Sequence, residues 1–153
     1  MTQSSQSSCP LTKGEHILVP FDGSPNSEVA VDQAISLGSI CNSKIYLIHV
    51  IDLFPEQMVA AEDLVNKMYK EAQGFLDKAK KKIDQAGIAC ETEIHSGGRP
   101  HDLILKEARG KSIDLIVMGT HGASGLRRVF MGSVAQKVTG SAHCPVMVVP
   151  AIE

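Results

Sequence analysis

The residues best suited to chemistry form the run Gly119-Thr120-His121-Gly122-Ala123-Ser124-Gly125 and, further on, Gly132-Ser133. An apolar stretch, Asp114-Leu115-Ile116-Val117-Met118, lies in front of it and reads as a buried strand. Behind it, Val134 and Val138 stand four apart at the start of a helical pattern. The glycines therefore sit in a loop leaving a strand and entering a helix at Gly132-Ser133. A helix start offers unpaired N–H groups and a partial positive charge, both attractive to anions. Glycines let a ligand approach such amides closely, so the stretch can act as a phosphate cradle. The same residues also read as a plain Gly/Ser surface loop before an ordinary helix. No G-x-x-x-x-G-K-[ST] occurs, and the spacing is not G-x-G-x-x-G. It is G-x2-G-x9-G-S, filled by Gly119, Gly122, Gly132 and Ser133.

A second group is the carboxylate of Asp22, in Pro20-Phe21-Asp22-Gly23-Ser24. An acid that accepts hydrogen bonds from ribose hydroxyls, beside a phosphate cradle, makes a minimal nucleotide site. Asp22 also suits an Asx turn or helix cap. Arg127 and Arg128 could reach a phosphate, a partner subunit or only solvent. His121 lies inside the loop, while His16, His49, His95, His101 and His143 show no metal-ligand spacing. No residue is marked as a general base for water attacking a γ-phosphate, so any hydrolysis is expected to be slow.

The elements that must position these groups alternate along the chain. Strands are expected at Ile17 to Phe21, Lys44 to Val50, Ile88 to His95, Asp114 to Met118 and Val146 to Val149. Pro20 should fall near the carboxyl end of the first strand, because it cannot donate to the ladder. Ser24 is a candidate N-cap with Pro25 at the first helical position. A long helix is expected from about Gln57 to Ala86, closed by Gly87, with Pro55 in the loop before it. A third helix follows Gly97-Gly98-Arg99-Pro100 and closes at Gly110, and the fourth follows Ser133. Five strands alternating with four helices imply a single-domain α/β fold: an open parallel sheet, right-handed crossovers and helices on both faces. If the first strand is central, strands one and four flank the crevice where ligands bind in such sheets.

Several motifs together resemble the universal stress protein family. They are the glycine pattern, Pro20-x-Asp22 after the first strand, His49-Val50 at the end of the second, and Cys144-Pro145-Val146-x-Val148-Val149 at the close. The match runs from about Glu15 to Pro150. The resemblance implies strand order 3-2-1-4-5, an adenine-nucleotide α-hydrolase-like arrangement, and ATP (or ADP or AMP) as ligand. Asp22 would hold the ribose, the backbone of Val50 would meet the adenine edge, and Gly119, Gly122, Gly132 and Ser133 would line the phosphates. Pro20, Ser24, Met118, His121, Arg128 and Val134 complete the expected nucleotide-binding set. Mg2+ or Mn2+ would be carried by the phosphates. A homodimer would form through the last strand, Val146, Met147, Val148 and Val149. The implied role is a nucleotide-responsive stress regulator or protective factor.

Global properties bound these readings. The chain has 153 residues, 43% apolar and 21% charged, which suits one soluble domain. A net charge of −2 argues against nucleic-acid and membrane-surface partners. No apolar run is long enough to span a bilayer, so a cytoplasmic protein is expected. Residues 1–14, rich in Ser, Gln and Thr, read as a flexible tail before a domain at 15–153. Cys9, Cys41, Cys90 and Cys144 lack C-x-x-C spacing and read as free thiols in a reducing compartment. Of these, Cys41, Cys90 and Cys144 sit at element ends and are expected to be buried.

Overall fold

In a computed structural model, which describes residues 8–122 and 131–150, the five expected strands form one parallel sheet in the order β3-β2-β1-β4-β5. They are β1 (His16–Pro20), β2 (Lys44–Ile51), β3 (Cys90–Ser96), β4 (Leu115–Gly119) and β5 (Val146–Val149). The helices are α1 (Pro25–Cys41), α2 (Pro55–Ala60), α3 (Glu62–Gln85), α4 (Pro100–Gly110) and α5 (Ser133–Ser141).

The continuously apolar central strands follow from burial on both sides. Along β1, Ile17 and Val19 point into a core with Ala30, Val31 and Ala34 of α1 and Leu76, Ala79 and Ile83 of α3. Leu18, between them, points the other way, against Ile104, Leu105 and Ala108 of α4 and Ala135 and Val138 of α5. Strand β3 lies at an edge, and of its seven residues only Cys90 is buried, in keeping with its more polar sequence. Among the described residues, no helix is long and apolar enough to cross a membrane.

Helix boundaries depart from expectation in two places. The single helix expected over Gln57 to Ala86 is two, broken at Ala61 (φ −137°, ψ 49°), so the described residues hold five helices and not four. Pro55 is not a breaker in the loop but the first residue of α2, where its missing N–H costs nothing. None of the α2 residues is buried, so no packing face holds it in line with α3. Helix α4 ends at Gly110, but the left-handed residue that reverses the chain is Ser112 (φ 51°), with Ile113 donating back to the carbonyl of Ala108 at 2.9 Å. Gly87 does take the left-handed position after α3 (φ 77°).

The start of α1 is as expected. Ser24 is extended at the cap, its Oγ accepts from the Ser27 amide at 3.3 Å, and Pro25 opens the helix. Ser24→Ala should lower stability by about 1 kcal/mol, and Ser24→Asn should restore most of it. Urea denaturation of the three proteins checks this.

The cysteines are a correction. Cys9 and Cys41 form a disulfide, and Cys90 and Cys144 alone are free. The expectation of free thiols throughout therefore does not hold. The cause is topological: the end of α1 leads directly into β2, which pairs with β1 beginning at His16↔Lys44, so the chain before β1 lies beside the end of α1. The Lys44 amide donates to the carbonyl of Glu15 at 2.7 Å, and the buried Ser43 hydroxyl donates to that of Gly14. Leu11 packs on the α1/α3 core. Cys90 is buried, which pushes its thiol up to about 11; Cys144 is only half-buried.

Candidate functional site

Strands β1 and β4 pair through Ile17↔Leu115 and Leu18↔Ile116, and beyond these residues their chains depart toward opposite faces. A crevice of about 230 Å3 opens at their carboxyl ends, lined by Pro20, Asp22, Val50, Met118, Gly119, His121, Gly122, Gly132, Ser133 and Val134.

One wall is the turn after β1. The Asp22 carboxylate accepts from the Ser24 amide at 3.0 Å through Oδ1, and the Asp22 amide donates to Ser27 Oγ at 3.4 Å. These bonds aim the side chain across the crevice. Its other oxygen, Oδ2, lies 3.2 Å from where a Cβ on Gly122 would stand. The carboxylate and the glycine loop therefore share one space, and a side chain at position 122 would intrude on it.

The opposite wall is the chain after β4. Gly119 is required because a Cβ there would come within 3.0 Å of the backbone carbonyl oxygen of Asn26, in the first turn of α1. Asn26 also donates from Nδ2 to the carbonyl of His121 at 3.3 Å, fastening the loop to that helix. The Thr120 amide donates to Val149 at 3.1 Å and the Gly132 amide to Thr120 at 2.6 Å. Gly132 thus shapes the cradle and spends its own N–H on the loop. The amides left to face an anion are those of Ser133, Val134 and Ala135, in the first turn of α5, which all line the crevice. Farther in, Ile48, Val50, Pro100, Ile104 and Met118 supply an apolar surface suited to a flat ring.

Ten of the twelve residues in the expected set line this crevice. Ser24 does not, because its hydroxyl caps α1. Arg128 lies outside the described residues. The sequence reading missed Phe21, Ser27, Ile48, His49, Pro100, Ile104, Thr120 and Ala135, which also line it. Ser27 could have been found one turn after the Ser24 cap, and Thr120 inside the glycine run. Pro100 and Ile104 could not, since α4 reaches the crevice only through the packing of α4 on the sheet.

The universal stress protein family model matches residues 14–150. The chain belongs to the universal stress protein family. Universal stress protein MJ0531 of Methanocaldococcus jannaschii is 40% identical over 137 residues, spanning 87% of this chain and 80% of that one. The solved structure of protein MJ0577 superposes with a TM-score of 0.81 at 30% identity, covering 91% of this chain and 97% of the other. A universal stress protein crystallised in complex with cAMP superposes at 0.67 with 25% identity, covering 92% and 100%.

In this universal stress protein His49 is a structural part of the crevice. Its Nδ1 lies 2.9 Å from the Phe21 carbonyl, so in the neutral ring Nδ1 carries the proton and Nε2 is the acceptor. Its ring stands edge-on to Phe75 at 4.9 Å, and Phe75 meets Phe21 at 5.6 Å. Burial lowers the His49 pKa from its ordinary 6.5, outweighing the bond to Phe21 and the charge of Asp22, which raise it. Because the folded value lies below the unfolded one, the unfolded chain binds the extra proton first. This residue's contribution to stability should be complete above pH 6.5 and decline as pH falls below it. Thermal melts of wild type and His49→Gln between pH 7.5 and 5.5 check this: the wild type should lose more stability on acidification than the variant.

The fold also gathers Glu93, His95 and Glu107, whose potential ligand atoms lie within 4.8 Å of one another, although sequence spacing offered no metal cluster. None of the three lines the crevice. Lys111 Nζ reaches Glu93 at 2.5 Å and Glu107 at 3.7 Å, so an ammonium already supplies the positive charge there. That ion pair holds Glu93 below the usual carboxylate range and raises Lys111.

Proposed function

We propose that this protein binds ATP in the β1/β4 crevice, with Mg2+ or Mn2+ carried by the phosphates, and acts in the cytoplasm as a nucleotide-responsive stress regulator or protective factor. The reading rests on one juxtaposition: Asp22 Oδ2, which a Cβ on Gly122 would approach to 3.2 Å, lines the same crevice as Ser133, Val134 and Ala135 in the first turn of α5. An acid positioned for ribose hydroxyls stands opposite amides positioned for phosphates, with apolar side chains between them for a base. The relative crystallised with cAMP, an adenine nucleotide, supports the ligand class.

In this reading Asp22 accepts from the ribose, the Val50 backbone meets the adenine edge, Ser133 and Val134 donate to phosphate, and Gly119, Gly122 and Gly132 line it. Arg128 adds charge to the phosphates. Strand β5 is an edge of the sheet, and its half-buried Val146, Met147 and Val148 are suited to pairing with a second copy as a homodimer.

The test is to denature purified protein and chromatograph the released small molecules, then titrate ATP, ADP and AMP by calorimetry and thermal shift with and without Mg2+. A co-purifying adenine nucleotide, or saturable heat with a rise in Tm, is the expected outcome. Absence of both overturns the reading and leaves a dimeric interaction module. Phosphate release above background, abolished in Gly122→Val, would instead make the protein a slow ATPase.

A further inference from the structure

We propose that residues 9–14 form a redox-released strap, clasped by the Cys9–Cys41 disulfide over a cavity at the amino end of the sheet. This lies at the far end from the nucleotide crevice and does not depend on that reading. The clasp joins the segment before β1 to the last residue of α1, with a Cα–Cα separation of 4.7 Å. Gly14 is packed onto it: a Cβ there would meet Cys9 Sγ at 3.0 Å and Cys41 Cβ at 3.1 Å.

Among the described residues, few contacts beyond the clasp anchor the strap. They are the half-buried Leu11 side chain and the bond from the Ser43 hydroxyl to the Gly14 carbonyl. From Glu15 onward the hold is firmer, since the amides of Glu15 and His16 both donate to Asp114 Oδ2 at 3.0 Å. Release is therefore expected to stop at β1. Leu11 and Lys13 wall a cavity of about 730 Å3 whose other lining includes Arg109, His143 and the free thiol of Cys144. The strap and the half-buried Cys144 thus wall the same cavity.

Both cysteines of the clasp are half-buried, within reach of a small thiol. An attacking dithiolate forms a mixed disulfide with one of the two sulfurs, then closes its own disulfide. Two electrons pass to Cys9 and Cys41, and each sulfur takes up one proton. In a reducing compartment such a bond is transient and responsive, in contrast to the buried thiol of Cys90.

The test compares air-oxidised full-length protein with protein reduced by dithiothreitol, reading two rates by peptide mass spectrometry: tryptic cleavage after Lys13 and alkylation of Cys144 by iodoacetamide. Cleavage after Lys13 requires release of the buried Gly14. Both rates should rise at least roughly tenfold on reduction, tracking the population of the open strap, while Cys90 stays unreactive. Cys9→Ser and Cys41→Ser should show the fast rates with or without reductant. Unchanged rates at Lys13 and Cys144 would overturn the proposal, as would failure of Cys9 and Cys41 to pair in air. Equal acceleration at Cys90 would also overturn it, because the change would then be global unfolding and not release of a strap.

Discussion

Asp22→Asn should weaken ATP binding by roughly tenfold to a hundredfold, the loss expected when hydrogen bonds to a charged acceptor become bonds to a neutral one. The substitution isolates charge. Asparagine retains an oxygen able to accept from the Ser24 amide, as Asp22 Oδ1 does at 3.0 Å, so the turn after β1 should keep its shape. Gly122→Val isolates space. Its side chain would enter the crevice 3.2 Å from Asp22 Oδ2 and should abolish binding where Asp22→Asn only weakens it. Isothermal titration measures both, and the Tm of each unliganded variant separates lost binding from lost folding. An unchanged Kd in Asp22→Asn would remove this carboxylate from the site.

The second large effect concerns stability. Gly119→Val should destabilise the protein by about 3 kcal/mol, at the upper end of what overpacking usually costs. The new Cβ would lie 3.0 Å from the Asn26 carbonyl oxygen and 3.2 Å from its carbon. These are backbone atoms in the first turn of α1, and they cannot swing aside as a side chain would. Strand β4 and helix α1 must separate, drawing the Asn26–His121 bond with them. Tm should fall by roughly 6–12 °C, given the enthalpy of a domain this size. Gly74, in the exposed middle of α3, is the control, because a Cβ there meets nothing within 4 Å. Gly74→Ala should raise stability by roughly 0.5–1 kcal/mol through helix propensity. Calorimetric melts of the two variants should therefore move in opposite directions. Similar shifts would mean that the close approach at Gly119 relaxes without cost.

The residues missed at the crevice, and the two cysteines that pair, share one origin. The amino-acid sequence by itself determined the central strands, because continuous apolar runs such as Ile17-Leu18-Val19 are stable only when covered on both faces. It also determined where α1 and α5 begin, through Ser24-Pro25 and Gly132-Ser133, since caps are local chemistry. Through motif resemblance it indicated the strand order and the composition of the crevice. Only the tertiary structure decided what depends on distance across the fold. The meeting of Asp22 with Gly122, the line of α4 that brings Pro100 and Ile104 to the crevice, the Glu93–His95–Glu107 cluster and the Cys9–Cys41 bond are all long-range pairings. The break at Ala61 has the same character: local propensity favoured one long helix, but α2 buries no residue and so has no face to continue. Periodicity and caps act over a few residues and leave a mark in the chain, whereas contacts between elements are set by how the sheet orders them.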